Sequence, residues 1–182
     1  GGTVPMEACL LGYPTIIGTD IDARQVNGAT QNMQWLEQAH VVTSEQRQRM
    51  TFKVQQVETL SQVVKGPIDV IVTEGFMGKP LNGNEQRSWL EQQKREIEHL
   101  WEQAFATFAA LQPEHGTIVA SIPTHRTREV TIQIDVERFA QAKGYVRVDP
   151  LAAWNIQAPE LVYAREDQRV QRRICIWEKK RT

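Results

Sequence analysis

No stretch of this chain is apolar enough to cross a membrane, since no run approaches the roughly 18 residues that a spanning helix needs. Cysteine is scarce: Cys9 and Cys175 are the only two, far apart, each in an apolar run. A disulfide framework and a CxxC zinc pair are thereby excluded. Two buried, reduced thiols in a cytoplasmic protein are expected instead. Excess charge of either sign is also absent, with 21 Lys+Arg against 22 Asp+Glu and a net charge of -1. That excludes a broadly basic nucleic-acid coat and leaves room for a local basic patch. The Gly-x-Gly-x-x-Gly pattern of NAD-binding domains is missing, as are internal repeats and low-complexity tracts. The opening Gly-Gly-Thr has no basic region before it, so no signal peptide is expected.

What remains is ordinary globular composition over 182 residues, 41% of them hydrophobic. Length predicts one domain, residues 1–182. Apolar strand-like runs alternate with helical patterns, the signature of an α/β fold with a mostly parallel sheet. Residues 3–11 read as a short helix, capped by Thr3 and stopped by Gly12. Residues 15–19 read as a buried strand that runs into Asp20-Ile21-Asp22. Over residues 23–39, Val26, Ala29, Met33 and Leu36 share one helical face, with Asp22 as N-cap. A strand is expected at 51–57 and a helical turn within 58–65. IDVIVT (68–73) is bounded by turn signals and predicts a central strand. The longest helix is expected over 85–111, a strand over 116–122, and a helix over 127–143 ending at Gly144. YVRVD, LVYAR and VQRRICIWEK close the chain, the last two as an antiparallel hairpin.

Three places carry candidate chemistry. Asp20 ends a strand, where open α/β sheets bind ligands. It could accept hydrogen bonds from ribose hydroxyls, with Ile21 against an adenine face; equally, Asp20 and Asp22 could only cap the next helix. Gly1-Gly2-Thr3 leads into a helix, where backbone N–H groups can approach a charged ligand. VIVTEGFMGKPLNG (70–83) sends an acid and an aromatic off the central strand on a Gly-rich loop. Glu74 could accept hydrogen bonds from an exocyclic amine and Phe76 could stack on a base; a plain turn is the alternative.

Together, GGTVPMEACLLG, TIIGTDID and VNGATQNMQWL resemble the first part of a class I S-adenosylmethionine-dependent methyltransferase. More narrowly, they are similar to the RNA methylase group that includes the tRNA guanine-N2 methyltransferases. Ala29 and Asn32 match that group's Ala-x-x-Asn, IVTEGFMG stands where it has Ile-Val-Thr-Asp-Pro-Pro-Tyr-Gly, and RRICIWEK matches its closing strand. The resemblance spans essentially the whole chain. It implies a Rossmann-like, doubly wound, mostly parallel sheet with a C-terminal antiparallel hairpin. The family's first strand has no counterpart here, so an N-terminally truncated chain is expected. S-adenosyl-L-methionine is the implied cofactor. Gly1, Gly2 and Thr3 would lie near its methionine moiety, Asp20 would hold its ribose, Ile21 its adenine face and Gln56 the adenine edge. Glu74, Gly75 (through its carbonyl) and Phe76 would form the acceptor site. The change from Asp-Pro-Pro-Tyr to Glu-Gly-Phe-Met removes two prolines and predicts a looser loop. No metal is required.

The implied activity is methylation of an exocyclic amine of a base in RNA, tRNA guanine N2 foremost. A DNA amino-methyltransferase, or a non-catalytic nucleotide- or RNA-binding module with a decayed loop, are the alternatives. RNA is the expected partner, with an RNA-binding domain upstream in the parent chain; a homodimer is kept open, and no membrane is involved. Lys79, Arg126, Arg128, Arg172 and Arg173 are candidate RNA contacts, although Arg172 and Arg173 also suit a solvated edge strand. His125 is expected as a loop residue. Trp35, Trp89 and Trp101 are expected in the core; Trp154 lies in a long connection and is expected to fill volume, with a place over the cleft as the alternative.

Overall fold

The computed structural model describes residues 1–156 and 161–181. The chain divides into two compact units, Gly1–Lys65 and Gly66–Thr182.

In the first unit, α1 (Thr3–Leu10) leads to β1 (Ile16–Asp20) and α2 (Ala23–Gln38). The short α3 (Ser44–Gln48) precedes β2 (Met50–Val54), and a 3₁₀ turn follows at Val57–Gln62. β1 and β2 pair in parallel, Ile16 with Met50 through Asp20 with Val54. Cys9, Ile16, Met33, Val42 and Met50 form the buried cluster, with Met6, Leu36 and Phe52 packed against it. The helical face anticipated in α2 is therefore the one that is buried. α3 was not anticipated. Its signal is Thr43-x-x-Gln46, a capping box in which the Thr43 hydroxyl accepts from the Gln46 N–H and the Gln46 side chain accepts from the Thr43 N–H. α1 is capped by Gly2 rather than Thr3: Gly2 sits at φ 85 and Thr3 is already helical.

In the second unit, β3 (Val70–Glu74) is followed by α4 (Arg87–Leu111), β4 (Thr117–Arg126) and β5 (Thr131–Gln133). α5 (Glu137–Ala142), β6 (Tyr145–Val148), a 3₁₀ turn at Ala152–Trp154, β7 (Leu161–Tyr163) and β8 (Val170–Lys179) complete it. The strands run β3-β4-β8-β6, with β5 on β4 and β7 on β8. Among the described residues of this unit only β3–β4 is parallel; β4–β5, β4–β8, β6–β8 and β7–β8 are antiparallel. The sheet is thus mixed, not mostly parallel, and β3 is not its central strand: it stands at the end of the order, paired with β4, with Val70 and Val72 exposed. The expectation failed because hydrophobic runs report burial, whereas strand direction depends on pairing. The β7–β8 hairpin is present as anticipated. β8 lies inside the sheet, so Arg172 and Arg173 are not on an edge strand.

One sheet face packs against α4. Ile118, Ala120, Ile122, Tyr145 and Trp177 are buried there together with Trp101, Phe105 and Phe108. The Phe105 ring meets Trp177 edge-on at 5.3 Å and Tyr145 at 5.8 Å. The segment 127–143 is helical only at its end. Val130, Ile132, Ile134 and Val136 alternate with more exposed residues, and this period of two makes β5 rather than a longer helix.

Candidate functional site

In the first unit, the carboxyl ends of β1 and β2 are tied by the Gln55 N–H, which donates to the Asp20 carbonyl at 2.9 Å. Asp20, Ile21 and Gln56 leave the sheet there. The two acids have separate roles. Asp22 caps α2 by accepting from the Arg24 N–H at 2.9 Å. The Arg24 side chain also bonds Asp22 and, with that backbone bond, holds its carboxyl below the usual range. Asp20 caps nothing: Oδ1 accepts the Asp22 N–H at 2.8 Å, and Oδ2 has no partner among the described residues. Ile21 beside it is 67% exposed. The Gln55 amide is committed to Thr59, whereas the exposed Gln56 amide has no hydrogen bond among the described residues.

The opening glycines are held by α2. Asn32 donates to the Gly1 carbonyl at 2.8 Å, and a Cβ on Gly2 would stand 2.7 Å from that of Ala29. Ala29 and Asn32 therefore act as one device, a small residue for close approach and an amide for the backbone. The N–H groups of Thr3 and Val4 precede the first helical bond, Met6 N–H to Gly2 O, and so face outward from the start of α1.

In the second unit, the loop after β3 is clamped at four points. Arg172 Nε donates to Glu74 Oε1 at 2.8 Å. Gly75 lies on the Trp101 indole, close enough that a Cβ would be 3.0 Å from Cζ2. His125 Nε2 meets the Met77 carbonyl at 2.8 Å, and the Lys79 N–H donates to Gln93 at 3.1 Å. Gly78, at φ 91, passes so close to His125 that a Cβ would be 2.7 Å from its ring. Two of the clamps, His125 and Gln93, are 0% and 1% exposed. Phe76 stands out at 47%. The loss of two prolines does not leave this loop unanchored, because side chains of α4, β4 and β8 hold it instead.

His125 is thus no loop residue. It sits near the end of β4 and is fully buried. Arg172, Trp101 and Gln93 were not anticipated as partners of the loop. The only sequence signal was the pair Gly75 and Gly78, which marks close backbone approach.

Two cavities open beside this loop. One, of about 430 Å³, is lined by Met77–Leu81, Asp167–Val170 and Arg172. The other, of about 390 Å³, includes Arg126 and Arg128 and shares Asp167, Gln168 and Arg169 with the first. Four of the five basic candidates, Lys79, Arg126, Arg128 and Arg172, are therefore brought to one end of the sheet. Arg173 is not; it donates to the Ile134 carbonyl. Trp101 is buried, but Trp35 is 63% exposed on α2, and Trp154 is exposed on its 3₁₀ turn. Residues 157–160 of the connection beyond Trp154 lie outside the described residues.

Against known proteins, no family model and no curated sequence matches the chain. Solved structures do. TrmN from Thermus thermophilus superposes with a TM-score of 0.58 over 98% of this chain and 41% of its own, at 15% identity. An S-adenosylmethionine-dependent methyltransferase from Methanosarcina mazei gives 0.56 over 100% and 89%, at 11% identity. The likeness is one of fold: α/β and methyltransferase-like, with a mixed sheet. The chain spans 41% of the length of TrmN. Among the described residues, no helix is long and apolar enough to cross a membrane.

Proposed function

We propose that residues 1–182 serve as one S-adenosylmethionine-dependent methyltransferase domain acting on an exocyclic amine of a base in RNA, tRNA guanine N2 foremost. The observation that carries this reading is the clamped Glu74-Gly75-Phe76 loop, whose exposed side chains are an acid and an aromatic ring at the carboxyl end of a parallel strand pair.

The first unit suits the cofactor. Asp20 Oδ2 is open to a ribose hydroxyl, Ile21 offers an apolar face to adenine, and Gln56 can donate or accept at the adenine edge. Gly1, Gly2 and Thr3 offer backbone groups at the start of α1 to the methionine end. When bound, the cofactor supplies a methyl group already activated by its sulfonium.

The second unit suits the acceptor. Phe76 stacks on the base, worth roughly 1–3 kcal/mol in comparable sites. Glu74 and the Gly75 carbonyl accept hydrogen bonds from the amine, orient its lone pair, and stabilise the positive charge that grows on nitrogen. The fixed loop backbone favours catalysis by positioning. A second reading, a nucleotide-binding module without catalysis, is favoured by one contact: Arg172 already occupies the acid.

Calorimetry with S-adenosylmethionine is the first test, on the chain and on Asp20→Ala. Micromolar binding that Asp20→Ala weakens at least tenfold is expected. Transfer of a labelled methyl group to tRNA, and not to DNA, then fixes the substrate. Absence of cofactor binding overturns the reading; binding without transfer to any nucleic acid leaves the non-catalytic module.

A further inference from the structure

Glu74 is the acid on which the acceptor chemistry depends, yet Arg172 holds it at 2.8 Å. The same Arg172 lines the cavity of about 430 Å³ beside the loop. Lys79 and Arg169 line that cavity too, against a single carboxylate, Asp167. Lys79 is exposed and forms no ion pair among the described residues. Arg169 lies over Gly83, whose φ of 93 and missing side chain leave room for the guanidinium; a Cβ there would be 2.2 Å from Nη1. Glu85, which Arg169 influences, is held mainly by backbone groups. Burial pushes its carboxyl up, but the N–H groups of Asn82, Glu85 and Gly83, helped by Arg169, hold it below the usual range. Lys79 with no ion pair among the described residues, Arg169 beside a Glu85 that backbone N–H groups also hold, and Arg172 on loan to Glu74 thus line one pocket.

We propose that this cavity binds a backbone phosphodiester of a single-stranded nucleic acid, and that the phosphate takes Arg172 away from Glu74. A phosphate accepts a guanidinium fork as well as a carboxylate does, with two oxygens in the matching geometry. Lys79 and Arg169 add the charge that lets it compete. Glu74 is then released, with both oxygens open to an amine, only when a nucleotide strand is seated. Arg172 is in this sense a positioning residue: it parks the acid until substrate arrives. The inference deepens the function proposed above and rests on it for the role of Glu74.

The test is fluorescence anisotropy of the full chain with a labelled ten-nucleotide oligoribonucleotide, from 50 to 200 mM salt, with circular dichroism on every variant. One phosphate neutralised in this cavity predicts a contribution of about -0.7 to the log–log salt slope. The double variant Lys79→Gln, Arg169→Gln should bind about tenfold or more weakly, with a salt slope shallower by most of that contribution. Arg95→Gln, exposed on α4 and outside both cavities, should match the unsubstituted chain. An abasic deoxyribose-phosphate oligomer should compete. Equal competition by DNA and RNA oligomers assigns the site to the phosphate alone, and a preference for RNA adds the 2′-hydroxyl. Glu74→Gln, which removes the rival anion, should tighten binding threefold to tenfold. An unchanged slope in the double variant, or an abasic oligomer that fails to compete, overturns the phosphate site. Unchanged or weaker binding by Glu74→Gln overturns the exchange. Oligonucleotide binding in a chain that does not bind S-adenosylmethionine keeps this inference and removes the methyltransferase reading.

Discussion

His125 Nε2 lies 2.8 Å from the carbonyl oxygen of Met77, 48 positions earlier in the chain. A carbonyl can only accept, so Nε2 carries the proton. Nδ1 is buried and has no hydrogen-bond partner among the described residues. One ring thereby ties the end of β4 to the loop after β3. His125→Leu removes the donor and leaves the Met77 carbonyl without its bond, at a cost of about 1–3 kcal/mol. His125→Gln carries an amide of similar reach and should recover part of it. Urea unfolding of the two variants, with the histidine tautomer read from nitrogen chemical shifts, checks this. Equal loss in both variants would show that ring volume matters and the hydrogen bond does not.

Asp20 and Asp22 should separate cleanly. Asp20→Asn is expected to weaken S-adenosylmethionine binding about tenfold to a hundredfold, the range for hydrogen bonds to a charged group, while leaving the thermal midpoint in place. Asp22→Ala is expected to do the reverse, because its carboxylate caps α2. Since the Arg24 bond lowers the Asp22 carboxyl, its contribution is present at neutral pH and disappears as pH falls through the lowered value. Calorimetry and thermal denaturation on both variants decide the matter.

Gly2→Ala should destabilise the first unit twice over. Its φ of 85 strains any other residue, and the new methyl would meet Ala29 at 2.7 Å. The backbone term alone is about 1–2 kcal/mol. Ala29→Gly in the same chain should relieve the methyl–methyl contact, but neither the 3.0 Å approach to the position-29 Cα nor the backbone strain. A double-mutant cycle that shows no coupling between the two positions would disprove the close approach of α1 and α2.

Tyr145 makes the second unit sensitive to alkali. Its ring is buried, its hydroxyl donates to Gln112 at 2.7 Å, and burial pushes its pKa up to about 12. The unfolded phenol ionises near pH 10. Between those values the native state holds a proton that the unfolded state has lost, so stability falls as pH rises. Below pH 10 the effect is absent. Thermal midpoints from pH 9 to 12 should drop more steeply for the unsubstituted chain than for Tyr145→Phe.

Much of the candidate site could be read along the chain because it is local. A strand ending in Asp20-Ile21-Asp22, a glycine pair before a helix and an acid-aromatic loop each lie within a few residues. Ala29 and Asn32 could be matched as a motif, although their task, holding Gly1 and Gly2, is visible only in space. Beyond the β7–β8 hairpin, strand direction could not be read. β8 has the same β-branched and aromatic alternation whether it runs with β4 or against it, and only the register from Thr117↔Glu178 to His125↔Val170 decides. Trp35 shows the converse error: an aromatic in a helix was expected inside, yet its position on α2 lies off the buried Ala29–Met33 face.

By itself the sequence determined the α/β class, most element positions, the two buried thiols and the identity of the acid and aromatic that leave β3, although β3 was expected at the centre of the sheet and stands at its end. These follow from periodicity and turn chemistry, which act over a few residues. The tertiary structure alone decided the mixed sheet, the burial of His125, and the pairing of Glu74 with an arginine 98 positions away. Hydrogen bonds and ion pairs form between groups that the fold brings together, and nothing in local spacing records which partner that will be.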